Sequence, residues 1–376
     1  MTVALRCRVC EDVGPAPAGS CRRCKGPTDA SYDWARLRET VSRETIRSGP
    51  ESLWRYLPLL PVDAARADGP GWTPLLAAPE LSEALGVDVR LKLETANPTR
   101  SFKDRIAALA AAAAAEQGLA TLCCASTGNL GEAVAAAADA AGLEAIVLAP
   151  EWAAQTIEGA QVFSVDGSYD DCERLALELA GLFPWGFVGG NLHPYAIEGA
   201  KTISYELAEQ LDWTLPDAVV CPVASGGLFA KLAQGFAELG HVGLVEAAPP
   251  RMLGAQPAGS APIAAAYADD RSVGHPAYGD LAIGAARASG GAIVPVPDDE
   301  IVESLDFLTR MTGVEADLAV GAALAGLRRA VADRSLATGS RVVLVVTGSD
   351  FGPSGEPLDP IVPGVDAFLA RLGVSG

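Results

Sequence analysis

Four times along this chain a strand-like apolar run breaks into a short loop of small polar residues. Val89–Leu93 runs toward Asn97-Pro98-Thr99-Arg100-Ser101-Phe102 and then a long Ala-rich helical stretch. Leu122-Cys123-Cys124 gives way to Ala125-Ser126-Thr127-Gly128-Asn129 and the helical Glu132–Ala141. Val219–Val223 is followed by Ala224-Ser225-Gly226-Gly227 and the helical Leu228–Leu239. Val342–Val346 ends in Thr347-Gly348-Ser349. Strands alternating with helices predict an α/β fold with parallel sheets, and ligands then bind outside the carboxyl ends of the strands. A loop that passes from strand to helix turns backbone N–H groups and the helix dipole toward one point, which suits an anion. At 376 residues and 49% apolar, the chain has the material for two or more domains.

Lys103 stands where the first of these loops meets its helix. The chain has five lysines against 23 arginines. A lysine kept in so Arg-rich a sequence points to a need for a primary amine, which forms a Schiff base where a guanidinium stays protonated.

Asn97 to Arg105 (NPTRSFKDR) is similar to the NPTGSFKDR of the pyridoxal-phosphate (PLP) enzymes of the tryptophan-synthase β-subunit fold, fold type II. ASTGN at 125–129 and the TGS turn at 347–349 match that family too. Within it the chain most resembles threonine synthases. Further matches are Gly167–Cys172, Ile197–Thr202 and Pro250–Gln256. The resemblance implies two three-layer parallel-sheet domains with PLP in the cleft between them. It implies that Lys103 carries the Schiff base beside Phe102, and that Asn129 lies by the ring hydroxyl. Ala224, Ser225, Gly226, Gly227 and Leu228 would hold the cofactor phosphate, and Thr347 would face the pyridine nitrogen. Ser126, Thr127, Gly128, Arg100 and Glu315 would line the substrate.

The implied activity is that of a PLP-dependent carbon–oxygen lyase or synthase on a β- or γ-substituted amino acid. Conversion of O-phosphohomoserine to threonine is the leading case. Three departures bear on the substrate: Leu130-Gly131 and Ala196 replace a polar pair and an arginine, and Arg100 replaces a glycine. They keep open a serine/threonine dehydratase or a β-replacement enzyme of the cysteate-synthase type. A non-catalytic PLP-binding homologue is the alternative of another class.

Of eight cysteines, four fall in the first 24 residues as Cys7-x-x-Cys10 and Cys21-x-x-Cys24. Two such pairs complete a tetrahedral S4 site for structural zinc, with no position left open for catalysis. A redox-active thiol set is the alternative. The expected division is a zinc-ribbon-like segment at 1–30 and an arm at 31–70 anchored by Tyr32, Trp34, Trp54 and Tyr56. A first α/β domain at 71–205 would carry Lys103, and a second at 206–376 the phosphate loop. A net charge of −19 argues against nucleic acid and anionic membranes as partners. The partners expected are a small amino-acid substrate and a second copy of the chain, in a homodimer. The N-terminus lacks the apolar core of a signal peptide, which predicts a cytoplasmic location.

Overall fold

The computed structural model describes residues 4–14, 20–63, 69–246, 248–269, 276, 278–349 and 355–373. Among the described residues there are three sheets. Strands β1 (Ala4–Cys7), β2 (Val13–Gly14) and β3 (Thr28–Ser31) form a small antiparallel sheet with β1 in the middle. Strands β4 (Leu75–Ala77) and β5 (Asp88–Leu93) belong to a six-stranded sheet. Strands β6 (Thr121–Ala125), β7 (Glu144–Pro150), β8 (Gln161–Val165) and β9 (Gly186–Phe187) form a four-stranded parallel sheet in the order β8-β7-β6-β9. The larger sheet is completed by β10 (Ala218–Pro222), β11 (Arg251–Pro257), β12 (Ala292–Val296) and β13 (Arg341–Val346), in the order β12-β11-β10-β13-β5-β4.

The central strand β13 reads RVVLVV and is buried from Val342 onward, as a strand covered on both faces must be. One detail differs from expectation. The sheet is not wholly parallel, because β4 runs antiparallel to β5 at the edge; the short Pro79–Leu85 helix between them lets the chain double back. Strands β4 and β5, which fall within the segment 71–205, share a sheet with β10, β11, β12 and β13. Val89 pairs with Val342 and Leu91 with Leu344, so apolar partners from the far end of the chain capture β5.

The Lys103–Glu116 helix packs against the four-stranded sheet, the Asn129–Ala141 helix and the helical turns at 193–201, and is buried from Asp104 to Ala114. Its alanines combine high helix propensity with room for close neighbours. Beneath its first turn lies a cluster of ions fully removed from solvent. Arg105 bonds Glu94 at 2.6 Å and Glu206 at 2.5 Å, and Lys92 bonds Glu206 at 2.7 Å. The arm is tied down by its aromatics: Tyr32 donates to Glu198 at 2.7 Å, Tyr56 to Glu209 at 2.8 Å, and Trp54 is buried. Among the described residues no helix is long and apolar enough to cross a membrane.

Candidate active site

Strands β10, β13 and β5 are neighbours and parallel, so the loops that follow them leave the sheet side by side. These are the loops at 223–226, 347–349 and 94–102. The last two are stitched together. Phe102 N–H donates to Thr347 O at 2.9 Å, Ser349 N–H to Arg100 O at 3.3 Å, and Ser101 bridges Gly348. Several residues of the NPTRSFKD run have local work. Asn97 accepts from Gly71 N–H and donates to the Glu94 carboxylate. Asp104 accepts from the N–H and hydroxyl of Thr99, at 2.8 and 2.7 Å, which closes the loop onto the helix start. Burial pushes the Asp104 carboxyl up to about 6, against those two bonds. Arg100 sits at φ +59°, the left-handed region that favours glycine, which accounts for the glycine of the similar motif.

Lys103 opens the helix at this junction. The residue is half-buried, yet its amine is desolvated, and burial lowers its pKa below the ordinary lysine value. Cys124, in β6, is the one group that opposes this shift. Among the described residues the amine has no hydrogen-bond or ion-pair partner; its contact is the Phe102 ring, 4.7 Å away. The other lysines differ. Lys92, Lys201 and Lys231 are buried against carboxylates, and Lys25 is exposed.

The loop after β6 brings Asn129 to the same place. A side chain begun on Gly348 would meet Asn129 Nδ2 at 3.0 Å and Ser101 Cβ at 3.1 Å. Ser126 is turned inward: its hydroxyl accepts from Gly128 and Gly131 N–H and donates to Gly128 O. Thr127 and Gly128 are exposed. In the loop after β10, Ala224 and Ser225 are exposed and Gly226, Gly227 and Leu228 buried. Gly226 has φ +85°, and a Cβ there would lie 2.8 Å from the Tyr278 carbonyl, so both conformation and space demand glycine. Phe102 packs against the apolar clusters that hold Leu228 and Ala230, which joins this loop to the lysine.

Thr347 is 4% exposed and its hydroxyl makes no protein hydrogen bond among the described residues. The Ser349 hydroxyl on the same turn is buried without a partner. Sequence reasoning passed over Ser349, as it did Asp317. Glu315 is exposed, and it is Asp317 that reaches the turn: its N–H donates to Gly348 O at 3.1 Å. The unpaired hydroxyls, the unpaired amine and the glycine-lined loop fit a cofactor that carries an aldehyde, a ring nitrogen and a phosphate.

At the N-terminus the sulfurs of Cys7, Cys10, Cys21 and Cys24 all lie within 4.8 Å of one another. Cys7 and Cys24 are 3.4 Å apart and Cys10 and Cys21 3.6 Å. Four thiolates around zinc at about 2.3 Å would stand about 3.8 Å from one another, so the set fits a tetrahedral ion. Backbone N–H groups of Val9, Cys10, Arg23 and Gly26 point at the sulfurs of Cys7, Cys21 and Cys24. The donor from Cys10, with that from Val9, pulls the Cys7 thiol down to about 6 against burial.

Comparison with known proteins agrees with this geometry. Residues 67–348 match the family described as pyridoxal-phosphate dependent enzyme. The threonine synthase of Methanosarcina acetivorans is 33% identical over 354 residues, with 88% of this chain and 86% of that protein covered. The threonine synthase of Mycobacterium tuberculosis is 36% identical over 331 residues, covering 81% and 90%. Among solved structures, threonine deaminase isoform 2 from Solanum lycopersicum superposes with a TM-score of 0.63 at 22% identity, over 86% of each chain. Maize serine racemase gives 0.61 at 22% identity, over 74% of this chain and 88% of that one. These two speak for the fold alone. With three quarters of its length in the family match and relatives of this identity, the chain belongs to the threonine synthase family of pyridoxal-phosphate dependent enzymes.

Proposed function

We propose that this protein is a PLP-dependent carbon–oxygen lyase or synthase acting on a β- or γ-substituted amino acid, with O-phosphohomoserine to threonine as the leading case. The observation that carries the proposal is the Lys103 amine: desolvated, without an acidic partner, and placed where three loops of one sheet meet. Lys103 would hold the aldehyde of PLP, the Ser225–Leu228 amides its phosphate, Asn129 its ring hydroxyl and Thr347 its ring nitrogen. The bound cofactor supplies an electron sink for bonds broken at the substrate's Cα. Lys103 Nζ would also be the base that takes the substrate's α-proton, and its lowered pKa keeps more of it neutral for that task. Thr127 and the amides of the loop at 126–129 orient the substrate carboxylate. The Ser126 hydroxyl acts through the loop it braces. A neutral hydroxyl at the ring nitrogen, rather than a carboxylate, suits elimination and replacement.

One observation favours a second reading, a dehydratase or β-replacement enzyme. Ala196 is fully buried and Leu130 packs against the same apolar cluster, so neither position offers an anion a donor. A cation for a substrate phosphate would then come from elsewhere, and the exposed Arg100 is the candidate. Arg100→Ala is expected to raise KM for a phosphorylated substrate roughly tenfold, the worth of a lost charge-assisted hydrogen bond. KM for an unphosphorylated substrate should not move; equal effects on both would remove Arg100 from the pocket. A panel of phosphorylated and acylated amino acids, scored for phosphate, ammonia and keto-acid release, decides between the two readings. Phosphate release with threonine formation supports the first; keto acid with ammonia, or loss of a β-substituent with neither threonine nor keto acid formed, supports the second.

The four N-terminal cysteines would hold one structural zinc. Metal analysis is expected to give about one zinc per chain, lost in Cys21→Ser together with thermal stability. A fully folded, metal-free protein would count against it.

A further inference from the structure

The cysteine knuckle touches the body of the protein through a basic side chain set between two of its sulfurs. Arg8 follows Cys7 in sequence, and its N–H is fixed to Pro27 O at 2.9 Å. Its guanidinium makes a two-pronged bond to Asp29, Nε to Oδ2 at 2.6 Å and Nη2 to Oδ1 at 2.9 Å. The same group lies over the Tyr278 ring, 4.1 Å from its centre.

Both contacts lead to the loop at 224–228. Asp29 Oδ1 lies 3.5 Å from the buried Lys231 Nζ, which pairs with Glu198 at 2.6 Å. Lys231 belongs to the Gly227–His241 helix, the one that opens from this loop. On the other side, the Tyr278 carbonyl closes on Gly226 and is itself held by Ala282 N–H at 2.9 Å. Arg8 therefore braces the helix that follows the loop and the wall that presses on its glycine.

We propose that Arg8 is a positioning residue for the phosphate-holding loop, acting through Tyr278 and through Asp29 and Lys231, so that the cysteine knuckle sets how tightly the loop grips a phosphate. This rests on the reading of residues 224–228 as the cofactor-phosphate loop. A guanidinium suits the place because it is planar, stacks on a ring and bonds a carboxylate with two donors at once.

The test compares PLP with pyridoxal, which lacks the phosphate, by dissociation constants measured from cofactor absorbance and fluorescence on the full chain. Arg8→Gln is expected to weaken PLP about tenfold and to change pyridoxal by less than about twofold. Tyr278→Leu leaves the four cysteines and the Arg8–Asp29 pair in place, and is expected to show the same selective loss. It decides the matter if Arg8→Gln does not fold. Unchanged PLP affinity in the folded variants overturns the proposal, as does an equal loss for PLP and pyridoxal. A wild-type protein that binds the two equally overturns the assignment of the loop itself, and the proposal with it.

Discussion

Lys103→Ala should leave a folded protein whose turnover falls by about four orders of magnitude, because the chain then lacks both the amine that holds the cofactor and the base that moves the proton. Borohydride reduction of the PLP-loaded wild type, followed by peptide mapping, should place the pyridoxyl group on Lys103. The structure sharpens this expectation by removing the rivals. Lys92 and Lys201 are fully buried in ion pairs of 2.7 and 2.6 Å, and freeing either would leave an uncompensated carboxylate in the interior. Label on either would sink the assignment. The pH dependence has a definite sign. Burial lowers the Lys103 pKa, so the neutral amine is available below the ordinary lysine range. The rate of PLP capture should rise with pH and level off before about 10.4, the value of a free lysine side chain.

Much of this site could be read from the sequence because its determinants are local. The loop at 97–102, the ASTGN loop and the TGS turn each follow a strand recognisable from its own apolar run. The order of β and α already implies which ends of the strands come together. What could not be read is what depends on distant partners. Nothing near Val89 says that it will pair with Val342, at the far end of the chain. Strand β11 reads RMLGAQP, and its small residues break the apolar run that would have marked it. Ser126 carries no local sign that its hydroxyl is used within its own loop. Ser349 and Asp317 gain their places only when the 347–349 turn meets the loop at 100–102 and the start of the Leu318–Ala332 helix. Arg8 is a further case: in the sequence it is one of many arginines, and only the fold lays it over Tyr278.

The ion cluster under the Lys103 helix should be the most costly place outside the catalytic residues to disturb. Arg105 and Lys92 together balance Glu94 and Glu206, all four buried, so removal of one member leaves a net charge in the interior. Glu206→Gln is therefore expected to destabilise the protein by about 3–5 kcal/mol, measured as a shift in the denaturant midpoint. The double variant Lys92→Met/Glu206→Gln restores the charge balance and should lose less than the sum of the two single changes. Acid gives an independent reading. Burial disfavours the ionised Glu206, but Arg105 and Lys92 outweigh it and hold the carboxyl at about 2, against 4.5 for the ordinary group. Its contribution is complete above 4.5 and drains away as the pH falls through about 2. The gap between wild type and Glu206→Gln should accordingly close in strong acid. A gap that stays constant down to that range would mean the carboxylate stabilises by shape and not by charge. Arg105 is two residues from Lys103 on the same helical turn, and Glu206 also accepts the N–H groups of Trp72 and Thr73 that enter the body of the protein. Loss of the charge balance should therefore be felt as weaker cofactor binding before the fold itself gives way.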